Sequence, residues 1–242
     1  SASRRCCASA SSWAAYDRPE VQAPLREGDM PGLIDRLRRG WQQRRMEGSE
    51  WAFLFDDPPP HEWVALDCET TGLNTRTDEI IAIGAVRIVG QRVLTSQRLE
   101  LLVRPERGVS AQSIRVHRLR EQDVEAGLPL AEAMQRLLHF IGARPLVGYY
   151  LEFDVAMINR ALRATLRLSL PQRRIEVSRL YYDHRFRQLP PYQQHDNADI
   201  DLRFATIMSE LGLPTRDAHD ALNDAVMAAL AFVKLRALRG DD

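Results

Sequence analysis

The spacing of apolar residues predicts a succession of strands and helices that begins near residue 61. Alternating or continuous apolar stretches indicate strands at 63–68, 79–89, 92–103, 145–148 and 174–180. Gly90 and Gln91 separate the second and third of these strands as a two-residue hairpin turn. Helical spacing predicts helices over 130–141, 153–166, 201–211 and 221–238, with a loop at 188–199. Three antiparallel strands followed by alternating helices and strands predict an α/β fold, in which helices flank a mixed sheet.

The first 60 residues divide into an extension and an arm. Residues 1–29 show no sustained periodicity and are predicted to be a disordered N-terminal extension. Residues 30–60 predict an amphipathic helical arm and linker, in which a helix from Pro31 places four apolar side chains on one face: Leu33, Ile34, Leu37 and Trp41. A second apolar patch at 51–55 precedes the stiff triple proline at 58–60. We expect the arm to pack on the following domain; the alternative is a helix that binds a partner protein.

Composition is that of a globular protein with one sizeable core, since 45% of the 242 residues are hydrophobic. No apolar run approaches the roughly 20 residues of a membrane-spanning helix, and the N-terminus lacks the apolar stretch of a secretory signal. Three cysteines, including adjacent Cys6 and Cys7, make neither a disulfide framework nor a zinc site, so we expect a cytoplasmic protein. The formal net charge of +0 argues against a high-affinity duplex binder, but it does not exclude a metal-dependent nuclease.

Two carboxylates stand at the end of the first predicted strand, in the sequence Asp67-Cys68-Glu69-Thr70-Thr71-Gly72. Side chains two apart along a strand point the same way, so Asp67 and Glu69 project together while Cys68 points into the opposite layer. Neighbouring carboxylates repel unless a cation lies between them, and hard oxygen ligands favour Mg²⁺ or Mn²⁺. The plainer alternative is a strand end with two solvated acids. Gly72 makes this alternative less favoured, because glycine lets the backbone turn tightly and leaves amides open to a phosphate.

Two further acids stand near predicted helix starts. Asp154 follows an apolar strand and begins a helix, where an acid also serves as an N-cap or first-turn residue. Asp224 lies in an alanine-rich helix, where a buried acid requires a partner. On one continuous helix His219 and Asp224 would lie about 140° apart, so they share a pocket only if His219 precedes the helix. A lone histidine near a helix start is otherwise an exposed polar residue.

Together these segments resemble the three motifs of the DnaQ-like DEDDh 3′–5′ exonucleases. The matching residues are Asp67-x-Glu69-Thr70-Thr71-Gly72, then Phe153-Asp154, then His219-Asp220-Ala221-Leu222-x-Asp224. The segment 113–117, followed by 121–124, is similar to a further family segment near the substrate. The resemblance implies an exonuclease domain over 61–239, with an RNase H-like fold whose mixed five-stranded sheet is flanked by helices. It also implies hydrolysis of nucleic acid by a two-metal mechanism.

The resemblance also assigns roles to individual residues. Two divalent ions, Mg²⁺ or Mn²⁺, would be bound by four carboxylates: Asp67, Glu69, Asp154 and Asp224. His219 would accept a proton from the attacking water. Five further residues are expected around the substrate: Thr70, Leu73, His117, Tyr149 and Phe153. Tyr149 and Tyr150 stand where many family members carry His-Asn, a departure that spares the metal ligands and bears on substrate preference.

The activity implied is the release of nucleoside 5′-monophosphates from the 3′ ends of single-stranded or frayed DNA. RNA 3′-end trimming is a close alternative, because the motifs specify the phosphodiester chemistry and not the sugar. A polymerase-associated proofreading subunit is a further alternative. The chain ends soon after its last predicted helix, which favours a free-standing enzyme or one bound to a partner protein through the arm. A catalytically inactive binding module is disfavoured, because no motif acid or histidine is missing.

Overall fold

The computed structural model describes residues 33–106, 126–195, 198–216 and 220–240. The predicted extension 1–29, the segment 113–124 with His117, and His219 lie outside the described residues. The described helices are α1 (Leu33–Met46), α2 (Leu130–Ile141), α3 (Leu151–Thr165), α4 (Val177–Gln188), α5 (Phe204–Glu210) and α6 (Ala221–Arg239). The strands are β1 (Glu62–Thr70), β2 (Ile80–Val89), β3 (Arg92–Leu102), β4 (Leu146–Gly148) and β5 (Arg174–Glu176). No described helix combines the length and the apolar composition that crossing a membrane requires.

The five strands form one mixed sheet in the order β3-β2-β1-β4-β5. Strands β1, β2 and β3 pair antiparallel, whereas β4 runs parallel to both β1 and β5. Between β2 and β3, Gly90 has a φ of 56° and Val89 pairs with Arg92, which confirms the predicted two-residue hairpin turn. The predicted mixed five-stranded α/β architecture is confirmed, and its central strand is the one that carries Asp67 and Glu69.

Alternate side chains of β1 face two separate layers of the core. Val64, Leu66 and Cys68 pack with α2 and α3 on one face of the sheet. Ala65 packs with α4, α5 and α6 on the other face. This division follows from the two-residue period of a strand. Positions 67 and 69 have the same parity as Ala65, so they belong to the face that α6 covers.

In the arm, Leu37 and Trp41 of α1 are exposed, whereas the turn after the helix is buried. Trp51 and Leu54, in the turn after α1, are buried in the core layer of α2 and α3. Along α1 itself, Leu37 is 65% and Trp41 is 63% exposed. The expectation that the arm packs on the domain therefore holds for the turn and is wrong for the described apolar face of α1. The Trp41 ring instead lies under the guanidinium of Arg45, 5.4 Å from the ring centroid.

Two predicted elements differ from the structure. The predicted strand at 174–180 ends as β5 at Glu176, because the Glu176 carboxylate accepts a hydrogen bond from the Ser178 backbone amide (3.2 Å) and starts α4 at Val177. The predicted helix at 201–211 begins only at Phe204. Asp201 accepts from the Arg203 amide (3.0 Å), a local bond that keeps the preceding residues out of the helix. The other predicted helices and strands are present, with ends shifted by no more than about two residues.

Candidate active site

Asp67 and Glu69 lie at the C-terminal end of the central strand, where β1 leaves the sheet. The two residues are only 8% and 6% exposed, so both carboxylates are largely shielded from water. Cys68, between them, packs into the core layer on the other face of the sheet, as the strand alternation predicts. Two anionic side chains buried side by side are costly unless a cation or strong donors compensate the charge.

Asp224 reaches the same place from the first turn of α6. The helix starts at a capped position, because the Asp220 side chain accepts a hydrogen bond from the Asn223 amide (2.8 Å). Asp67, Glu69 and Asp224 each offer a carboxylate oxygen, and these oxygens all lie within 4.8 Å of one another. Two acids of β1 and a third more than 150 residues later in the sequence thus form one cluster, which strand periodicity and a capped helix start bring together.

The close approach of α6 to the sheet depends on a glycine in β2, which has no side chain. Gly84 on β2 is the residue directly opposite Asp67 in the antiparallel pair. A Cβ built on Gly84 would overlap the backbone of Ala221 and Leu222, at the start of α6. Any larger residue at position 84 would therefore push the first turn of α6, and Asp224 with it, away from β1.

Asp154 lies in the first turn of α3 and is fully buried, with 0% exposure. It is not part of the 4.8 Å cluster of the other three acids. Asp154 nevertheless lies close enough to act on Cys68, the neighbour of Asp67 and Glu69. Burial raises the pKa of the Cys68 thiol well above its usual value, and the charges of Asp154, Asp67 and Glu69, in that order, raise it further. The end of β1 is thus approached by acids from both core layers.

The start of α3 is fixed by a carboxylate from the neighbouring strand. Glu176 accepts hydrogen bonds from the backbone amides of Tyr150 (3.0 Å) and Leu151 (2.9 Å), and it also caps α4 through Ser178. Tyr150 has a φ of 59°, in the left-handed region that a tyrosine rarely occupies. One side chain therefore holds two helix starts, including the first turn of α3 that carries Asp154.

The chemistry of the donor set fits a divalent cation. The clustered ligand atoms are all carboxylate oxygens, the hard donors that such cations bind. Cys68 supplies no competing thiolate, because burial and the surrounding acids raise the pKa of its thiol and keep it protonated near neutral pH. A bound cation would also offset the mutual repulsion of the acids.

Leu73, Thr70 and Phe153, which are predicted to contact substrate, differ in how exposed they are. Leu73 is 45% exposed, and Thr70 is buried with its hydroxyl donating to the Gly72 carbonyl (2.7 Å). Phe153 is 9% exposed and lies beside the Tyr150 ring, at 6.3 Å between centroids.

Tyr149 has a structural environment of its own. Its ring stacks on Phe204 at 4.5 Å, and its hydroxyl donates to the Leu202 carbonyl (3.1 Å). The residue that departs from the family pattern therefore ties β4 to the segment before α5. The predicted substrate contact of Tyr149 stays a prediction, as do those of Thr70, Leu73 and Phe153.

Comparison with known proteins places this arrangement in a family. The sequence profile of the exonuclease family RNase_T matches residues 64–232, which includes all four acids. The chain belongs to this exonuclease family. The resemblance to DnaQ-like exonucleases is confirmed by the relatives that the chain matches.

Relatives of this exonuclease domain include DNA polymerase III proteins. A DNA polymerase III PolC-type protein of Thermotoga maritima is 27% identical over 172 residues, which is 71% of this chain but 12% of that protein. A DNA polymerase III subunit epsilon of Rickettsia felis is 27% identical over 177 residues, covering 71% of this chain and 72% of the subunit. The chain thus spans only about an eighth of the PolC-type polymerase.

A solved structure shows the same fold. Exonuclease I of E. coli, in complex with a dA16 oligonucleotide, superposes with a TM-score of 0.60 at 16% sequence identity. The match covers 74% of this chain and 41% of exonuclease I. The predicted RNase H-like fold is therefore confirmed.

Sequence patterns identified the acids of this exonuclease domain but missed the residues that position them. Gly84 and Glu176 act through contacts with residues far away in the chain, so local patterns mark them weakly or not at all. A faint indication existed for Gly84, because a glycine inside a strand pattern marks close approach of another backbone. Glu176 stood in a segment predicted to be a strand throughout, which hid its role as a helix cap.

Proposed function

We propose that this chain is a 3′–5′ exonuclease that removes nucleoside 5′-monophosphates from single-stranded or frayed DNA ends, with two divalent ions, Mg²⁺ or Mn²⁺. The observation that carries the proposal is the cluster of Asp67, Glu69 and Asp224 oxygens within 4.8 Å, beside the buried Asp154. Membership of the exonuclease family supports hydrolysis as the reaction. The oligonucleotide bound by E. coli exonuclease I supports single-stranded DNA as the substrate.

In this proposal the four acids Asp67, Glu69, Asp154 and Asp224 hold the metal ions. A pair of divalent ions in such a site supplies charge stabilisation for the attacking and leaving oxygens of the phosphodiester. The protein contributes the placement of the ligands through Gly84 and Glu176. His219, outside the described residues, is proposed to accept the proton of the attacking water.

The terminal nucleotide is proposed to lie between Leu73 and Phe153, near Thr70. Leu73 is exposed and is therefore available to a base, and apolar contact with a base tolerates any sequence. Tyr149 and His117 are proposed as further substrate contacts; His117 lies outside the described residues. A sequence-tolerant contact suits an enzyme that removes successive nucleotides.

Two related functions are alternatives. RNA 3′-end trimming fits the same site, because the motif residues specify the phosphodiester chemistry and not the sugar. The PolC-type and epsilon relatives favour a proofreading role with a polymerase. In that case the exposed Leu37 and Trp41 of α1 are the proposed surface for a partner protein.

The test is degradation of matched DNA and RNA strands that carry a label at either the 3′ or the 5′ end. With Mg²⁺, the account predicts that 3′-labelled DNA yields labelled mononucleotide at once, while 5′-labelled DNA shortens stepwise. EDTA should stop both reactions. Faster degradation of RNA would favour the trimming function, and mononucleotide released first from the 5′ label would refute the proposed polarity.

A further inference from the structure

The loop between β1 and β2 is folded tightly on itself. Its base is closed by Thr71, whose amide donates to the Glu79 carbonyl and whose hydroxyl accepts from the Glu79 amide, both at 2.9 Å. Within the loop, the Asp78 carboxylate accepts a hydrogen bond from the Asn74 amide (2.7 Å). Leu73 lies in this loop and is 45% exposed. The exposed apolar side chain is thus carried by an ordered segment.

Arg160 of α3 fastens this loop from outside. One guanidinium nitrogen donates to the Thr75 carbonyl (2.7 Å), and another donates to the Asp78 carbonyl. Both acceptors are backbone oxygens, so the contact fixes the path of the loop rather than neutralising an acid. The planar guanidinium suits this task because it presents several N–H groups in a rigid fork.

The same helix face carries Phe153. Phe153 and Arg160 are seven residues apart, which places them within about 20° of each other around the helix and about 10 Å apart along it. The helix that carries Phe153 and Asp154 in its first turn therefore also holds the loop that carries Leu73. A shift of either part relative to the other is resisted by the two hydrogen bonds of Arg160.

We propose that Arg160 is a positioning residue for the terminal nucleotide: it fixes the distance between Leu73 and Phe153, and so the gap that receives the base. The inference rests on the proposed function, in which these two side chains contact the substrate. Without Arg160 the loop keeps its internal hydrogen bonds but loses its attachment to α3, and binding of the 3′ end has to restore its position relative to Phe153. The acids of the metal site lie on β1, α3 and α6, outside this loop, and their arrangement is retained.

The first test compares Arg160→Ala with Arg163→Ala, a matched control that removes an exposed arginine from the same helix. For a single-stranded DNA substrate, Arg160→Ala should raise KM between about 5- and 30-fold, with kcat within about threefold of the parent. Hydrolysis of bis(p-nitrophenyl) phosphate, which has no base, should not change. Arg163→Ala should match the parent with both substrates.

A double-mutant cycle separates positioning from a general structural role. If Arg160 acts through Leu73, adding Arg160→Ala to Leu73→Ala should raise KM by less than about twofold further. Arg160→Lys, which keeps the charge but not the fork, should give an intermediate KM, and it carries the test if the alanine variant does not fold. Full multiplication of the two effects, or an equal loss with the base-free ester, would overturn the proposal.

A binding measurement makes the outcome independent of turnover. With 2-aminopurine as the 3′-terminal base and Ca²⁺ in place of Mg²⁺, the parent should change the fluorescence of the base on binding, and Arg160→Ala should lose most of that change. An unchanged response in Arg160→Ala, beside a normal response in the parent, would refute the role of Arg160 alone. A parent that hydrolyses neither substrate would refute the proposed function itself.

Discussion

Gly84 lies directly opposite Asp67 in the antiparallel pair of β1 and β2, and the space beside it is filled by the backbone of α6. Because Gly84 has no side chain, the start of α6, which carries Asp224, packs directly against β2 at the residue opposite Asp67. This contact sets the distance between the carboxylates of Asp67 and Asp224.

Gly84→Ala should disturb the cluster of acids through this contact. The added methyl group overlaps the start of α6, and overpacking of this kind costs about 1–3 kcal/mol of folding stability. Displacement of Asp224 should also weaken metal binding by about 10- to 100-fold. Urea unfolding and calorimetric titration with Mn²⁺ measure the two effects.

The control for this substitution is Gly40→Ala in α1, where a Cβ would meet nothing within 4 Å. Alanine is a better helix former than glycine, so this variant should be as stable as the parent or slightly more so. Metal affinity in Gly84→Ala equal to that of the Gly40→Ala control would show that Gly84 does not position Asp224.

The fold could be predicted from sequence because most of its elements have strong local patterns. Leu130–Ile141 was predicted with both ends correct, and the projection of Asp67 and Glu69 away from the layer of Cys68 followed from strand periodicity. Such patterns depend only on residues a few positions apart, so a single sequence contains them.

The parts that sequence reasoning missed depend on contacts across the fold. The segment 174–180 contains the β-branched residues Ile175 and Val177 and was predicted as strand, yet the Glu176 cap and the burial of Val177 and Tyr181 make residues 177–180 helical. The exposure of Leu37 and Trp41 likewise depends on whether another part of the fold packs against α1, which a local sequence pattern does not show.

The buried turn after α1 should contribute to stability, unlike the helix before it. Leu54 is 1% exposed, so Leu54→Ala should cost about 2–5 kcal/mol in the free energy of unfolding. The matched variant Leu37→Ala removes a side chain that is 65% exposed and should change stability by no more than about 0.5 kcal/mol. Equal effects in denaturant unfolding would contradict this division of the arm.

Removal of residues 1–29 should leave turnover and melting temperature unchanged, because the sequence there supplies no predicted metal ligand and no apolar face. Removal of residues 1–60 should lower the melting temperature, because it also deletes the buried Trp51 and Leu54. Turnover and thermal unfolding of both truncations check the two statements. Loss of activity in the shorter truncation would show that the extension has a catalytic part.

The proposed proton acceptor His219 predicts a particular pH dependence. Free histidine has a pKa of about 6.5, and a base acts only when unprotonated, so activity should rise between about pH 6 and 8. His219→Ala should lower the rate about 10²- to 10⁴-fold and should remove the part of the pH profile that the histidine causes. Metal binding should persist in calorimetry. A variant with the rate and profile of the parent would exclude His219 as the base.

The central claim is that the acids around the end of β1 bind catalytic metal ions, and rate measurements on charge-removing variants test it most directly. Turnover of single-stranded DNA with Mg²⁺ should fall at least about 10²-fold in Asp67→Asn and in Asp154→Asn, with the melting temperature retained. The control Glu132→Gln, on the exposed face of α2, should behave as the parent. EDTA should abolish the parent activity. Near-normal turnover in Asp67→Asn or Asp154→Asn, or activity that persists in EDTA, would contradict the account.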